Sequence, residues 1–346
     1  MQSWVDRATV GIPRGGVLPR SLCPLLSRGE IRLSGVSSVG RGVDRSGPRV
    51  SKTQAVAETS GGIACARSIP HLEGGSFRKD GHAFVEQFRI RGYEVGPDRQ
   101  TTLPTIANLL QENASNHAIC MWGKTEEGFA AEPSMVEKGL ILVMTRLQIQ
   151  VDKYPTWGDV IEVETWFSTE SRASAKRDWA IRDAQTGETI GRATSTWVMV
   201  DIVKRKMARI PEEMKENFKQ FVSPERHSVA VSEARQKLPN MSEDSTPGPD
   251  RFARGSNVDM NGHINNVVYL IWALDTVPDE IHDSKTLTEM EMDFKAECVA
   301  GDRVESSWCE IESENGSTGT NVFLHSLRKV TGEKSRELIR VRTKWS

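Results

Sequence analysis

The chain has 346 residues and nearly balanced charge, with 45 basic and 47 acidic side chains; 37% of its residues are hydrophobic and 27% are charged. This composition is typical of a soluble globular protein long enough for two domains, and it excludes collagen-like, coiled-coil and fully disordered chains. The apolar runs are short, as at 267–274, whereas a transmembrane helix needs roughly 20 apolar residues. No transmembrane anchor is therefore predicted.

Five cysteines stand singly along the chain, at positions 23, 65, 120, 298 and 309. Their number is odd and no two have the CxxC spacing, so the sequence predicts neither a disulfide framework nor a structural zinc site. This pattern fits a reducing compartment.

The first 65 residues differ in composition from the rest of the chain. They carry nine basic residues against four acidic ones, with nine Ser and ten Gly, and leave a body over 66–346 with a net charge of −7. An Arg-rich, Ser-rich and acid-poor leader is typical of an organelle transit peptide. Ile63-Ala64-Cys65-Ala66 resembles a plastid cleavage site, which predicts a transit peptide over 1–65 and a flexible segment over 66–83. The alternative is a disordered tail with no targeting role.

Two stretches of the body resemble each other, which indicates an internal repeat. Trp157-Gly158-Asp159 and Ala300-Gly301-Asp302 each precede alternating polar and apolar residues. Thr186-Gly187-Glu188 recurs as Thr331-Gly332-Glu333, and the offsets between the copies run from 143 to 148 residues. Because each Thr-Gly-Glu lies between two alternating runs, it is predicted to turn a β-hairpin. Each copy is therefore expected to be mostly antiparallel sheet.

One helix is predicted at the start of each copy. In the first, Thr102 is the expected cap and Pro104 lies in the first turn, ahead of apolar residues at helical spacing: Leu103, Ile106, Ala107, Leu110 and Ala114. In the second, the apolar positions run up to a stop at Pro278: Val267, Leu270, Ile271, Leu274 and Val277. A helix followed by a curved antiparallel sheet, present twice, predicts an α+β protein with two similar halves. Residues 211–250 separate the halves and begin with a short charged helix.

The densest group of chemically active side chains precedes the second helix. Asp259, Asn261 and His263 surround a glycine there, and Glu297 and Cys298 follow a strand that is predicted beside this helix. A loop entering a helix presents free backbone N–H groups that suit an oxyanion. Asp259 is a candidate to activate water or to attack directly, with Asn261 and His263 positioning the reactant or carrying protons.

Other roles are open for the same residues. Asp and Asn before a helix are commonly N-caps. Asp259, His263 and Cys298 are a candidate metal set, although they lack paired ligand spacing. Cys298 is either a nucleophile served by His263 and Asn261 or an inert buried thiol. Comparison of the two copies favours chemistry, because Asp98 is retained at the position aligned by an offset of 161, whereas the Asn and the His are not.

Two further features concern binding. The offset is 161 residues at the helix start but 143 at the Gly-Asp turn, so the first copy has 18 extra residues between helix and strand. They include Met121, Trp122 and Phe129, and they either line an apolar pocket for a long chain or form a surface loop. Basic residues form two clusters that are either a docking surface for an acidic partner or solvated faces: Arg172, Lys176, Arg177 and Arg182, then Lys204, Arg205, Lys206 and Arg209. Without aromatic interleaving or a basic domain, nucleic acid binding is not predicted.

From Phe84 to Ser346 the chain resembles the plant and algal acyl-acyl carrier protein thioesterases, the Fat family of plastid enzymes. The polar cluster matches the family's Asp-x-Asn-x-His-x-Asn-Asn, and Glu297-Cys298 matches its Glu-Cys pair. The resemblance implies tandem hot-dog domains. An N-terminal hot dog over 84–210 would govern acyl length, and a linker over 211–250 would lead to a catalytic hot dog over 251–346.

The resemblance also implies an activity: hydrolysis of the thioester between a fatty acyl chain and the phosphopantetheine of its carrier, with release of free fatty acid. The implied catalytic residues are Asp259, Asn261, His263, Glu297 and Cys298, with no cofactor and no metal. The implied partner is an acidic acyl carrier protein in the plastid stroma, and a homodimer is left open. The block at 152–159 resembles the FatB subclass, but the choice between FatA and FatB is left open. Two alternatives remain, a hot-dog acyl-CoA thioesterase and a non-catalytic protein that binds acyl chains and their carrier.

Overall fold

The computed structural model describes residues 75–124, 132–169, 174–204, 206–219, 221–222, 237–312 and 319–346. The predicted transit peptide, its cleavage site and residues 66–74 of the segment 66–83 lie outside these residues, as do Phe129, Arg172 and Arg205. Within the described ranges, no helix is long and apolar enough to cross a membrane.

The described residues of the first half form seven strands and three helices. The strands are β1 (Ser76–Phe77), β2 (Ala83–Arg89), β3 (Leu140–Val151), β4 (Val160–Thr169), β5 (Ser174–Asp183), β6 (Thr189–Asp201) and β7 (Lys206–Met207). The helices are α1 (Leu103–Trp122), α2 (Pro133–Glu137) and α3 (Glu212–Lys219).

The described residues of the second half repeat this plan with shorter helices. The strands are β8 (Thr246–Pro247), β9 (Arg251–Phe252), β10 (Leu287–Phe294), β11 (Arg303–Ile311), β12 (Asn321–Thr331) and β13 (Lys334–Trp345). The helices are α4 (Asn266–Leu274) and α5 (Asp279–Ser284). Both Thr-Gly-Glu sequences join neighbouring antiparallel strands, β5 to β6 and β12 to β13, which confirms the predicted hairpins.

Helix α1 begins and ends as its sequence signals predict. The Thr102 hydroxyl accepts a hydrogen bond from the Thr105 N–H at 3.3 Å, which satisfies one free donor of the first turn. Pro104 lies in that turn, where its missing N–H is not needed. Gly123 ends the helix with a φ of 82°, a conformation that favours glycine.

Helix α4 stops at Leu274, so its predicted extension to Val277 is wrong. The Thr276 hydroxyl donates to the Ala273 carbonyl at 2.8 Å and lies 2.7 Å from Nδ1 of the buried His325 on β12. This contact with the sheet holds residue 276 and competes with continued helical hydrogen bonding.

The two halves share one continuous antiparallel sheet. Its strand order is β1-β2-β4-β5-β6-β3-β10-β13-β12-β11-β8, with β7 on β6 and β9 on β11. The helices α1 and α4 pack into a single hydrophobic core that includes Ile106, Leu270, Ile149 and Met290. The architecture confirms the predicted α+β class, in which each half is a helix packed against a curved sheet.

Strands β3 and β10 join the halves, and their register is two-fold symmetric. Gln148 pairs with Glu291 at the centre, so the pairs on either side, Arg146 with Asp293 and Gln150 with Glu289, are related by the repeat. Glu291 is only 1% exposed and forms ion pairs with Arg146 and, at 2.8 Å, with Arg342. Burial raises the pKa of Glu291, and the two arginines oppose that shift. The join therefore contains a buried carboxylate held between two cations.

The described parts of the segment 211–250 pack on both halves. The buried side chains of Met214 and Phe218 on α3 join a cluster with Phe167 and Met199 of the first half. At the other end, β8 pairs with β11 of the second half. The short charged helix predicted from Pro211 is therefore present, and it belongs to the packing of the first half.

Candidate active site

Residues 259–265 form a tight loop that leads into α4. The Asp259 N–H donates to the His263 carbonyl at 2.8 Å, and the Gly262 N–H donates to the Asp259 carbonyl at 3.0 Å. Gly262 has a φ of 77°, which a residue with a side chain adopts only with strain. The loop therefore depends on glycine at this position.

The helix cap is not Asp259. The side chain of Asn265 accepts the hydrogen bond from the Val267 N–H at 2.9 Å, so Asn265 caps α4. The Asp259 carboxylate instead accepts from the Asn261 N–H at 2.9 Å and from the His263 N–H at 3.4 Å. The alternative role of Asp259 as a helix cap is wrong, because its oxygens serve the loop and not the helix.

His263 and Glu297 form a pair across two elements. Nε2 of His263 lies 3.1 Å from Oε2 of Glu297, which follows the end of β10. The imidazole is 51% exposed, whereas the carboxyl is 19% exposed. Burial raises the pKa of Glu297, and the nearby His263 and Arg336 oppose the shift. An accessible imidazole with a sheltered carboxylate behind it is suited to proton transfer.

Asn261 completes the open side of the site. Its amide nitrogen lies 3.4 Å from Oδ2 of Asp259, and the loop that carries both residues is open to solvent. The structure thus brings Asp259, Asn261, His263 and Glu297 together at the start of α4. A carboxylate, an amide and an imidazole that face solvent can bind and polarise a carbonyl and activate water.

Cys298 is adjacent to this group but fully buried. Its N–H donates to the Tyr269 hydroxyl oxygen at 3.1 Å, and its Sγ lies 3.5 Å from the same oxygen. The Tyr269 O–H is then free to donate to the sulfur. Burial raises the pKa of Cys298 to about 11, so the thiol is protonated at neutral pH.

Tyr269 and Arg336 are partners of the site that sequence analysis missed. Tyr269 lies in the apolar stretch of α4, where it has the pattern of a core residue, and Arg336 lies far along the chain on β13. No spacing rule connects either residue to Glu297-Cys298. Among the described residues, no group of three or more His, Cys, Asp and Glu side chains is arranged to hold a metal ion.

The first half has the same loop without the same side chains. Gly96 N–H donates to the Gln100 carbonyl at 2.8 Å, as Asp259 does to His263, and Arg99 has a φ of 64° at the position of Gly262. Both loops are closed by a bridge pair six residues apart and lead to the helix cap. The correct offset is therefore 163, and the earlier alignment by 161 is wrong.

This corrected offset changes the comparison between the halves. Asp259 corresponds to Gly96, Asn261 to Asp98 and His263 to Gln100, so the first half lacks all three candidate groups. Twenty extra residues, and not 18, then separate the loop from the next shared turn. The fold forms this loop with Gly96, Asp98 and Gln100 at these positions, so its backbone does not require the Asp, Asn and His of the second half.

The extra residues lead to a cavity of mixed character. Met121 and Trp122, at the end of α1, line a cavity of about 380 Å³ together with Glu132, Ser134 and Asn217. Asn217 donates to the Glu132 carboxylate at 2.9 Å. This cavity is partly polar, and an apolar acyl pocket near these residues stays a prediction.

The first basic cluster is not a docking surface. Lys176 and Arg177 are buried, and Arg177 lies 4.0 Å over the ring of Phe167 and 2.9 Å from Nδ1 of the buried His117. Burial lowers the pKa of Arg177 to about 9. Arg182 forms an ion pair with Glu164 at 2.6 Å. The docking hypothesis is wrong for Lys176 and Arg177, because both faces of β5 are covered where these two residues lie.

Two family models match the chain. The description "Acyl-ACP thioesterase N-terminal domain" matches residues 81–218, and "Acyl-ACP thioesterase C-terminal domain" matches residues 250–346. The second match contains all of the candidate catalytic side chains.

Curated relatives and solved structures agree with these models. The chain is 37% identical over 310 residues to oleoyl-acyl carrier protein thioesterase 2, chloroplastic, of Arabidopsis thaliana, covering 84% of this chain and 83% of the relative. It is 37% identical over 276 residues to the palmitoyl-acyl carrier protein thioesterase, chloroplastic, of the same organism, covering 79% and 66%. The 12:0-ACP thioesterase from Umbellularia californica has a TM-score of 0.68 at 30% identity, covering 77% of this chain and 95% of that one. An acyl-ACP thioesterase from Bacteroides thetaiotaomicron, with a TM-score of 0.64 at 23% identity over 78% of this chain and all of that one, shares the fold.

Proposed function

This chain belongs to the acyl-acyl carrier protein thioesterase family and has its tandem hot-dog fold, and we propose that it hydrolyses fatty acyl-acyl carrier protein to free fatty acid and carrier thiol. The observation that carries the proposal is the His263–Glu297 pair, at 3.1 Å, beside Asp259 and Asn261 on the open side of the α4 loop. These side chains are present in one half and absent from the equivalent loop of the other.

The pairing defines the direction of proton transfer. In this scheme Nε2 of His263, 3.1 Å from Oε2 of Glu297, keeps its proton towards the carboxylate, so Nδ1 takes a proton from water. The water oxygen bonds to the thioester carbon as that proton moves to Nδ1. The tetrahedral intermediate then breaks its carbon–sulfur bond, and the proton on His263 passes to the departing thiolate. Atoms and charge balance with one water consumed, one fatty acid formed and one thiol released.

Asp259 and Asn261 orient this reaction. Two loop N–H groups already bond to one oxygen of Asp259, which holds the carboxylate in place and makes it a better orienting group than nucleophile. In this scheme Asp259 holds the water, the Asn261 amide faces the carbonyl, and the positive end of the α4 dipole stabilises the oxyanion.

The role of Cys298 in this proposal is structural. The thiol is buried and protonated, and its bonds to Tyr269 tie the Glu297-Cys298 segment to α4. Cys298 thereby fixes the carboxylate that serves His263.

We expect Cys298→Ala to keep kcat within about tenfold of wild type, because a lost packing contact only misplaces Glu297, whereas removal of a nucleophile costs on the order of 10⁴-fold or more. The matched control is Cys309→Ala, because Cys309 is a half-buried cysteine of the same half. The measurement is steady-state release of fatty acid at saturating substrate. A loss of several orders of magnitude with intact folding would contradict the structural role.

The domain roles follow the family. We propose that 84–210 governs acyl length, that 211–250 links the halves, and that 251–346 carries the catalytic residues. The curated relatives are chloroplastic proteins, so this chain is assigned to the plastid, with the stroma as its proposed compartment and 1–65 as its proposed transit peptide. The chain is 37% identical both to an oleoyl and to a palmitoyl thioesterase, so the assay below, and not sequence identity, decides which acyl chain it prefers.

The test is release of free fatty acid by the full chain from a panel of saturated and unsaturated acyl carrier proteins, with the matching acyl-CoA esters in parallel. Preferential hydrolysis of the carrier-bound substrates is the expected result. Binding without release would indicate the non-catalytic acyl-binding protein. Equal or better hydrolysis of acyl-CoA would indicate the acyl-CoA thioesterase.

A further inference from the structure

One surface of the first half combines exposed apolar and basic side chains. We call it the β6–β7 patch: Val136, Ile141, Ile202, Val203, Lys204, Lys206, Met207 and Arg209. Val203 is 82% exposed, and the other four apolar side chains of the patch are each more than a third exposed. Strand pairing places Ile141 and Met207 on either side of Val200, and Gly139 bonds to the backbone of both Val136 and Ile202. Five of the large apolar side chains that are exposed among the described residues thus lie on neighbouring elements, which is unusual for a surface without a partner.

Residues 201–204 of the patch form a hydrogen-bonded turn. The Asp201 carboxylate accepts from the N–H groups of Val203 at 3.0 Å and Lys204 at 2.8 Å. The Ile202 N–H donates to the Gly139 carbonyl at 3.1 Å, which ties the turn to the start of β3. Val203 is therefore held outward by the backbone around it, and binding through it would need little ordering.

The charge of the patch is opposite to that of the protein. Lys204 pairs with Asp201 at 2.8 Å, but Lys206 and Arg209 have no carboxylate partner among the described residues. The body of the chain has a net charge of −7. A local cationic surface on an acidic protein selects a partner with acidic groups.

The patch lies at the same end of the sheet as the candidate active site. Leu140, at the start of β3, pairs with Asp201, at the end of β6. Because β3 and β10 are antiparallel, the start of β3 and the end of β10 point to the same end of the sheet. The last pair is Arg146 with Asp293, so Leu140 lies six residues beyond it along β3, and Glu297 follows β10 in the same direction. Two strand spacings, about 10 Å, separate β6 from β10 across the sheet, and six residues of β3, about 20 Å, separate Leu140 from the last β3–β10 pair along the strand.

From these features we infer that the β6–β7 patch docks the protein that carries the acyl thioester, through an acidic face of that protein with apolar side chains at its centre. The inference rests on the proposed function, which brings a protein-bound thioester to this end of the sheet. Val203 is the apolar anchor, and Lys206 and Arg209 supply the complementary charge. A membrane surface with anionic lipids has similar chemistry, and it is distinguished below.

The experiment measures direct binding of the acyl carrier protein to the full chain, together with KM for the acyl carrier protein and for the acyl-pantetheine that bears the same acyl chain. We expect Lys206→Glu with Arg209→Glu to weaken carrier binding and to raise KM for the carrier substrate about tenfold or more, with less effect at high salt. We expect Val203→Asp to do the same. In all of these variants kcat and the KM for acyl-pantetheine should stay within about twofold, because the site itself is intact.

The matched controls lie at the opposite end of β3. Arg99 and Tyr93 are an exposed basic residue and an exposed aromatic residue beside Thr156 and Trp157, just beyond the last residue of that strand. Arg99→Glu and Tyr93→Asp should leave carrier binding and KM unchanged. Equal effects of control and patch variants would overturn the inference.

The two proposals fail separately. If the patch variants lose carrier binding, docking is supported even where no hydrolysis is detected. If they bind the carrier normally, docking is overturned even where hydrolysis is fast. Where the double variant does not fold, Val203→Asp alone provides the test. Vesicles of anionic phosphatidylglycerol test the membrane alternative. If the wild type binds them, and Val203→Asp abolishes that binding but leaves carrier binding unchanged, the patch binds a membrane and the docking inference is overturned.

Discussion

Asp259→Asn should lower kcat for hydrolysis of acyl-acyl carrier protein on the order of 10³-fold while leaving the protein folded. The Asn side chain can still accept from the Asn261 N–H, which keeps the 2.9 Å contact of the loop, but it has no charge to hold water or to support the His263 cation. Fatty acid release under single-turnover conditions, with the melting temperature measured alongside, checks the result.

The first half of the same chain offers the control. Asp98→Asn changes the same residue type in the equivalent loop, where the Asp98 carboxylate accepts from the Gln100 N–H at 3.0 Å. This variant should leave kcat unchanged. A similar loss in both variants would mean that the loops act only on stability. A single turnover of unlabelled enzyme in ¹⁸O-water tests direct attack by Asp259 against attack by water. Direct attack forms a mixed anhydride, and its hydrolysis at the Asp259 carbonyl would place the label in the Asp259 carboxylate, whereas attack by water never labels the enzyme.

Glu291→Gln should lower the free energy of unfolding by about 1.5–3 kcal/mol, because two half-buried arginines lose the buried carboxylate they share and keep only longer contacts to Asp293 and Glu289. Glu291 is 1% exposed, and Arg146 and Arg342 both pair with it at the join between β3 and β10. Guanidinium unfolding at neutral pH, followed by tryptophan fluorescence, provides the measurement.

The matched change on the surface is Glu305→Gln. Glu305 pairs with Arg303 at 3.1 Å, and both side chains are more than 40% exposed. Solvent and salt weaken such a pair, so we expect a change of about 0–1 kcal/mol. If Glu291→Gln and Glu305→Gln lower the free energy of unfolding by the same small amount, the network at the join contributes no more than a surface ion pair.

Local pattern predicted most of the elements. Thr102, Pro104 and the helical spacing of apolar residues located α1, and the Thr-Gly-Glu sequences located both hairpins, because these signals act between neighbours in the chain. The end of α4 was mispredicted because Thr276 bonds to His325, which is 49 residues away. A contact of that range leaves no mark on local spacing.

The candidate site was predicted by residue type but not by arrangement. The sequence locates the group at 259–263 as a polar cluster. Only the structure shows that this group pairs with Glu297 and that Cys298 contacts Tyr269. The basic clusters show the same limit. Lys176 and Lys206 have similar neighbours in sequence, yet one is buried and the other exposed, since the tertiary packing of the sheet decides which face meets solvent.

The symmetric register about Gln148 and Glu291 has a consequence for how the protein can vary. In an assembly of two identical subunits every substitution appears twice, so a change that improves one surface is imposed on its symmetry mate. Here both halves belong to one chain, so a substitution appears only once in the molecule. The loop at Gly96 can therefore lose its reactive groups while the loop at Asp259 keeps them, and the surface near Val203 can change without altering its counterpart. Each molecule is then expected to process one substrate at a time, with capture and cleavage free to be tuned separately.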